Sequence, residues 1–275
     1  MSTRSIGLVS HRDRPRALEL AAEVSTTLSQ HGIEVRTPDA DRVSTFADGL
    51  DVVISLGGDG TMLRAVDLAY EAGVPVLGVN VGQMGYLTEV EPRDLPAALD
   101  RLIAGDYDVT ERMVLEITVE SKGPASGKWY ALNEAVLEKV HTGRLVLLDV
   151  EINGTFFTRY AADGVIVATP TGSTAYSFSA RGPIVSPRHR CLLLTPVSPH
   201  MLFDRALVLD ADEAVRFVVC DDRSVVLTAD GLELGNLAGG DAVSCTGGAH
   251  PARIVTFGLR DFHQILKVKF GLADR

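Results

Sequence analysis

The stretch Asp51-Val-Val-Ile-Ser-Leu-Gly-Gly-Asp-Gly-Thr-Met-Leu-Arg64 constrains this chain more than any other. Val52, Val53, Ile54 and Leu56 form a short apolar run of the kind shown by a strand buried on both faces of a parallel sheet. It stops at Gly57-Gly58. Beyond Thr61 the apolar residues Met62, Leu63, Val66, Leu68 and Ala69 follow helical rather than alternating spacing, so the order is strand, glycine turn, helix. Such a junction is an anion site, because the free N–H groups of a helix start point at whatever sits above the strand and glycines let backbone come close to it. Asp59 is the anomaly. A carboxylate where phosphates bind repels them, unless a metal intervenes or the group takes a proton during chemistry. Turn chemistry leaves a second reading open, a tight turn capped by Asp59. The pattern is neither a P-loop nor Gly-x-Gly-x-x-Gly, since Leu63 stands where the third glycine belongs.

The same alternation extends on both sides. Ile6, Leu8 and Val9 predict a first strand, and Arg14 to Gln30 a helix carrying Leu18, Ala21, Ala22, Val24 and Leu28, ended at Gly32. Ile33 to Val35, Val52 to Leu56 and Val74 to Asn80 read as further strands, and Pro96 to Ala104 as another helix. Strands alternating with helices predict a parallel α/β sheet, whose ligands sit outside the carboxyl ends of the strands. Gly57 to Thr61 and Asn80 to Gly85 should therefore face one crevice.

From Thr110 the texture changes to β-branched or alternating runs with little helix between them: Val114 to Val119, Leu145 to Ile152, Val165 to Ala168, Ala206 to Leu209, Val215 to Val219 and Ser224 to Thr228. Asn153-Gly154 is a hairpin dipeptide, and Ser121 to Lys128 reads as an exposed hairpin loop. Ile254 to Phe257 is a strand, and Phe262, Ile265, Leu266, Val268 and Phe270 mark a helix-like tail suited to the α/β part. The expected fold class is α/β plus all-β. A Rossmann-like parallel α/β domain spans 1–107 and is completed by the tail, 256–275; a β-sandwich-like domain spans 108–255.

A net charge of −10 argues against a general nucleic-acid or anionic-membrane binder, because backbone binding needs clustered Lys and Arg. Any phosphate must be held locally. Cys191, Cys220 and Cys245 show no metal or redox spacing and read as small buried apolar residues of a protein from a reducing compartment. No signal-peptide pattern and no apolar run of membrane-spanning length is visible, so a soluble cytoplasmic protein is expected.

Two further constellations carry chemistry. Asn133 and Glu134 put an amide beside a carboxylate, a pair that can hold a ribose diol or an adenine edge. Taken alone, such residues are more often exposed surface polar groups. Tyr160 to Ala180 is more specific: Asp163-Gly164 precedes a buried strand, Pro170 and Gly172 turn the chain, and Ser173 is placed to cap a short helix. Thr169, Thr171, Ser173, Thr174, Tyr176, Ser177 and Ser179 crowd hydroxyls around that turn. Hydroxyls, amides and one aromatic face suit a neutral nucleoside. A serine-rich surface loop is the alternative.

Gly57-Gly-Asp-Gly-Thr61 resembles a turn shared by lipid kinases of the diacylglycerol type and, in a close variant, by phosphofructokinases. That pentapeptide together with Asn133-Glu134, Asp163-Gly164, Thr169-Pro-Thr-Gly-Ser-Thr-Ala-Tyr-Ser-Phe-Ser179, Gly182-Pro-Ile-Val-Ser-Pro187 and Leu194-Thr-Pro-Val-Ser-Pro-His200 resembles, in order and spacing, the motifs of the NAD kinase family. Lipid kinases lack the Thr-Pro-Thr-Gly-Ser-Thr-Ala-Tyr run.

The resemblance implies transfer of a terminal phosphoryl group from ATP or polyphosphate, with Mg²⁺ carried by the donor, to the 2′-hydroxyl of the adenosine ribose of NAD. Asp59 matches the family's proton acceptor. Gly58 and Gly60 would receive phosphates through their amides, and Arg64 matches a ligand-contacting position; by residue type alone it reads equally as a solvated helix face. Asn133 and Glu134 would grip an NAD ribose or base, Arg144 and Asp163 would add polar contacts, and Thr174, Ala175, Tyr176, Ser177, Phe178 and Ser179 would line a nucleoside pocket joining both domains. No dedicated metal-ligand set is expected. A homo-oligomer, dimer or tetramer, is implied by the resemblance alone. Ser198, Arg181, Ala161 and Leu232 depart from residues common in the family, which bears on the nicotinamide-side contacts. A lipid or small-alcohol kinase and a non-catalytic NAD sensor remain the competing functions.

Overall fold

In the computed structural model, which describes residues 3–38, 45–82, 85–141, 143–220, 223–258 and 261–272, the predicted alternation builds a six-stranded sheet. Its elements are β1 (Ser5–Ser10), α1 (Pro15–Gln30), β2 (Glu34–Arg36), β3 (Val52–Gly57), α2 (Asp59–Tyr70), β4 (Val76–Asn80), α3 (Leu95–Ala104) and β5 (Asp108–Arg112). The late strand Ala252–Thr256 inserts between β4 and β5, giving the order β2, β1, β3, β4, late strand, β5. The β1–β2, β1–β3, β3–β4 and β4–late strand pairs are parallel.

All six residues of β3 are buried, which is why its sequence shows no alternation. Val52, Ile54 and Leu56 join Ile6, Leu8, Leu77 and Val79 in one core with Leu20, Val24 and Leu28 of α1 and Leu99 and Leu102 of α3. Met62 of α2 approaches Gly78 on the sheet, where a Cβ would stand 3.1 Å from its sulfur. The register Ser10 opposite Leu56 and Gly57 opposite Asn80 aligns the carboxyl ends of β1, β3 and β4.

The β-rich part holds β6 (Leu115–Glu120), β7 (Gly127–Ala131), β8 (Glu134–Lys139), β9 (Val146–Ile152), β10 (Thr155–Ala162), β11 (Gly164–Ala168), the short α4 (Tyr176–Ser179), β12 (Cys191–Val197), β13 (Leu207–Asp210), β14 (Val215–Val219), β15 (Val225–Ala229), β16 (Leu232–Leu237) and β17 (Ala242–Gly247). They form two six-stranded antiparallel sheets, β10-β9-β14-β17-β6-β7 and β13-β12-β11-β8-β15-β16. Ile117, Leu148, Phe217 and Val243 from the first share one core with Leu137, Val165, Val167, Leu194 and Leu227 from the second. That is a sandwich.

The two sheets differ in a way that positions the site. β6 and β14 alternate buried and half-exposed residues, whereas β8 (Glu134–Leu137), β11 and β12 are buried without alternation. Val136, Ile166, Ala168 and Leu193 on the outer face pack with Tyr176, Ala180 and Val185. The hydroxyl-rich segment is therefore a cover laid over a sheet, not a surface loop. Asn153 and Gly154 take φ of 52° and 73°, the left-handed pair that the hairpin dipeptide predicted.

Contacts group the chain into two units, Met1–Glu111 with Ala252–Arg275, and Arg112–Pro251. The tail helix α5 (Phe262–Lys269) belongs to the first unit, buries none of its own residues fully, and sets the Lys269 ammonium 4.1 Å above the Tyr86 ring. The predicted loop Ser121 to Lys128 differs from expectation: Ala125 is fully buried, Gly127 already belongs to β7, and the Ser121 hydroxyl donates to Asp241 at 2.9 Å. Among the described residues no helix is long and apolar enough to cross a membrane.

Phe217 is fully buried at the centre of the sandwich. Phe217→Ala should cost about 3–5 kcal/mol of unfolding free energy through the cavity it leaves. Trp129, the single tryptophan, packs against that core, so its fluorescence during urea denaturation reads this unit directly.

Candidate functional site

The glycine turn lies between β3 and α2 as predicted, but its capping differs from the tight-turn reading. Gly58 is the helix cap, with no side-chain bond, and Asp59 is the first helical residue. The Asp59 carboxylate turns away from its own helix. Its Oδ2 accepts from the Tyr86 amide at 2.9 Å and its Oδ1 from the Leu87 amide at 3.0 Å. A Cβ on Gly85 would collide with Oδ1, so only glycine lets that strand of backbone reach the carboxylate. Val81 N donates to Gly57 O at 2.8 Å, closing the β4 end onto the turn. Of the predicted stretch Asn80 to Gly85, Asn80 and Val81 thus adjoin Gly57 and Gly85 adjoins Asp59, while the amides that bind the carboxylate come from Tyr86 and Leu87, beyond that stretch; residues 83–84 lie outside the described residues. Each carboxylate oxygen retains a second acceptor lone pair after these bonds.

The glycines of the turn are not equivalent. A Cβ on Gly57 would strike the buried Thr61 side chain, which explains both residues structurally. At Gly58 and Gly60 a Cβ would meet nothing within 4 Å, and neither residue has a left-handed φ. Nothing in the fold requires glycine there. Open space beside the first amides of a helix is what a phosphate needs. Arg64, half-buried further along α2, is not on a freely solvated face: burial and the nearby charge of Arg12 both lower its affinity for its proton.

In the second unit, Asn133 and Glu134 are organised by Asp230, which the motifs brought to notice only as the neighbour of Leu232. The Asp230 carboxylate, on a residue with φ of 49°, accepts from the amides of Leu132 (2.7 Å), Asn133 (2.8 Å) and Glu134 (3.0 Å), and Asp230 N donates back to Glu134 O at 3.0 Å. The Asn133 carbonyl accepts from Thr169 N at 2.8 Å, and a Cβ on Gly172 would collide with that carbonyl. The Asn133 main chain is fixed from both sides while its side chain stays half-exposed. Glu134 corrects the surface-polar reading: it is 7% exposed, and its Oε2 has no partner among the described residues. Burial first, then the charge of Asp230, pushes its carboxyl up to about 8, with the Tyr176 amide opposing them.

The hydroxyls divide by role. Ser173 caps no helix; its Oγ donates to Val185 O (3.1 Å) and accepts from Val185 N (3.0 Å), pinning the cover segment. Thr169 Oγ1 donates to Leu132 O at 2.5 Å and accepts from Gly172 N at 3.2 Å. Ser177 is fully buried with its Oγ 3.0 Å from Thr195 Oγ1, so its side chain is committed inside the fold. Thr174, Ala175 and Tyr176 are half-exposed, Phe178 and Ser179 exposed, and the buried Thr171 hydroxyl has no partner among the described residues. Tyr176 donates its hydroxyl to Glu138 at 2.8 Å, which steadies the ring.

Asp163 is paired with Lys139, whose amide also donates to Asp163 O at 2.9 Å. Lys139, with His141, Arg144 and Arg223, lines a cavity of about 130 Å³, and Arg144 itself is exposed at it. Asp230, Glu138 and Lys139 were missed as site residues because each acts on a residue far along the chain. Only the left-handed signal of an Asp-Gly pair at Asp230-Gly231 hinted at one of them.

The folded chain holds a proton on Glu134 at pH values where an unfolded glutamate, at about 4.5, has lost it. Stability therefore falls as pH rises from about 5 to about 8. Glu134→Gln should flatten that slope relative to the parent and be the more stable protein at about pH 8.5. Urea denaturation across this range measures it, and parallel slopes would remove the proton from Glu134.

Residues 38–107 match the family profile of the ATP-NAD kinase N-terminal domain, and residues 132–257 that of the ATP-NAD kinase C-terminal domain. The NAD kinase of Heliobacterium modesticaldum is 41% identical over 277 residues, covering 96% of this chain and 98% of that one. The NAD kinase of Symbiobacterium thermophilum is 42% identical over 276 residues, with the same coverage of 96% and 98%. Yeast NADH kinase, solved as a complex with NADH, superposes with a TM-score of 0.88 at 27% identity, covering 100% of this chain and 90% of that one. With both halves of the family profile matched and relatives this similar over nearly its whole length, the chain belongs to the NAD kinase family of phosphotransferases.

Proposed function

We propose that this enzyme transfers the terminal phosphoryl group of ATP, or of polyphosphate, to the 2′-hydroxyl of the adenosine ribose of NAD, forming NADP. The observation that carries the reading is the open pair Gly58 and Gly60 flanking a carboxylate held in place by two amides. Those amides fix the direction of Asp59 without using its remaining lone pairs, which can accept the hydroxyl proton as the new P–O bond forms. Asn133 and Glu134, with Thr174 to Tyr176, Phe178 and Ser179, hold the nucleoside; Glu134 Oε2 and Thr171 Oγ1, without a partner among the described residues, are buried polar atoms that a bound ribose or base would satisfy.

Among the described residues no group of three or more His, Cys, Asp or Glu side chains forms a metal cage. Mg²⁺ typically binds through one or two carboxylates plus substrate phosphates and keeps several waters. The residues present fit a cation that travels on the donor, with Asp59 the carboxylate beside it. Bound there, Mg²⁺ would neutralise charge on the bridging phosphate oxygens. We further expect a cytoplasmic homo-oligomer, which a solution mass measurement tests for assembly.

Incubation with NAD, Mg²⁺ and either donor should yield NADP, detected with an NADP-specific dehydrogenase. NAD bound without turnover would make the protein a sensor; phosphorylation of diacylglycerol but not NAD would make it a lipid kinase. Asp59→Asn should lower turnover by about 10²–10⁴-fold, the usual contribution of a general base, while NAD binding measured by calorimetry stays largely in place. Unchanged turnover would remove Asp59 from the proton transfer.

A further inference from the structure

We propose that Glu138 is a positioning residue for the nucleotide acceptor: by taking the Tyr176 hydroxyl it fixes that ring before NAD arrives, so that the ring offers the ligand its face and not its hydroxyl. This deepens the NAD-binding reading above and rests on it. Glu138 lies outside every motif that the sequence singled out.

The contact is built from three elements. Along β8, Glu134, Val136 and Glu138 share the outer face by alternation, and Glu138 stands about 7 Å beyond Val136. Tyr176 packs with Val136 in the outer-face cluster and reaches on to Glu138, donating its hydroxyl to Oε1 at 2.8 Å. On β11, Gly164 is the residue opposite Glu138. A Cβ there would stand 3.3 Å from Glu138 Cγ and 2.7 Å from Leu137 O, so glycine leaves the space in which the glutamate stem lies. The neighbouring cation is committed elsewhere: Lys139 pairs with Asp163, and among the described residues no cation pairs with Glu138.

Tyr176 is thereby held at every level. Its main chain lies between the Ser173–Val185 and Ser177–Thr195 anchors, its ring rests on the apolar cluster, and its tip is bonded to a carboxylate. Burial first, then the bond to Glu138, pushes the hydroxyl up to about 12, so it stays a donor throughout the neutral range. A hydroxyl spent in this way is withdrawn from ligand bonding, while the residue remains half-exposed and can present its ring. A side chain already immobilised need not be ordered when the ligand binds, which raises affinity without any new contact.

The test is a double-mutant cycle of Glu138→Ala and Tyr176→Phe, read by calorimetric titration of NAD and by steady-state kinetics with NAD varied. Each single variant should weaken NAD binding and raise KM for NAD roughly 3–10-fold, the usual cost of ordering a free side chain, with kcat within about twofold of the parent. Tyr176→Phe should add nothing once Glu138 is replaced. Glu138→Gln keeps a carbonyl oxygen in place of Oε1 and should recover most of the affinity; Glu138→Leu, which keeps the stem without an acceptor, takes the place of alanine in the cycle should alanine disturb β8. Glu120→Ala is the control, exposed at the end of β6 and paired with Arg216, and its KM for NAD should hold. Additive losses would mean that the hydroxyl bonds the ligand itself, and would overturn the proposal. So would coupling seen in urea denaturation with NAD affinity unchanged, or a fall in kcat at constant KM. Should the parent form no NADP, the functional reading fails while calorimetry still decides the role of Glu138: a coupled loss of NAD affinity supports it, and affinity retained in the variants, or no NAD binding by the parent, overturns it.

Discussion

Two carboxylates, each saturating distant main-chain amides, hold the functional segments of this protein where they are. Asp59 takes the amides of Tyr86 and Leu87, and Asp230 takes those of Leu132, Asn133 and Glu134. A charged acceptor makes stronger hydrogen bonds than a neutral one, and an amide left without it in a half-buried place would be costly. In both cases a glycine permits the approach: Gly85 beside Asp59, and Gly172 against the Asn133 carbonyl that Asp230 helps to orient. One of these loops is the glycine turn and the other carries Asn133 and Glu134. Here each loop is set by an acid whose own side chain is immobilised.

The consequence for electrostatics is different in the two units. In the first, Asp59 is half-exposed at the helix start, and two main-chain amides, those of Tyr86 and Leu87, share its charge. In the second, Glu134 is buried next to the already charged Asp230, so the cheaper state for the pair is one charge and one proton. A neutral carboxyl can donate as well as accept.

The sandwich explains why the hydroxyl-rich turn is an anchored segment and not a flexible loop. Its residues cover the outer face of β8, β11 and β12, so three of its hydroxyls are consumed in anchoring: Thr169 on Leu132, Ser173 on Val185, Ser177 on Thr195. What remains accessible, Thr174 to Tyr176 with Phe178 and Ser179, is presented by a rigid support.

The amino-acid order alone determined the class of both units, because β3 with its unbroken apolar run, the helical spacing after Thr61 and the Asn153-Gly154 hairpin are local signals that packing did not override. It also determined the family, since glycines and hydroxyls at fixed spacing encode backbone geometry that few other sequences need. Tertiary structure alone decided which polar residues are tools and which are fasteners. Ser173 looked like a cap and Ser177 like a ligand contact, yet their partners Val185 and Thr195 come from segments that no local pattern ties to them. Glu134 looked like a surface acid until Asp230, nearly a hundred residues away, was folded against its amide. Hydrogen-bond partners and burial depend on what the chain brings together, and that is a property of the fold rather than of neighbours in sequence.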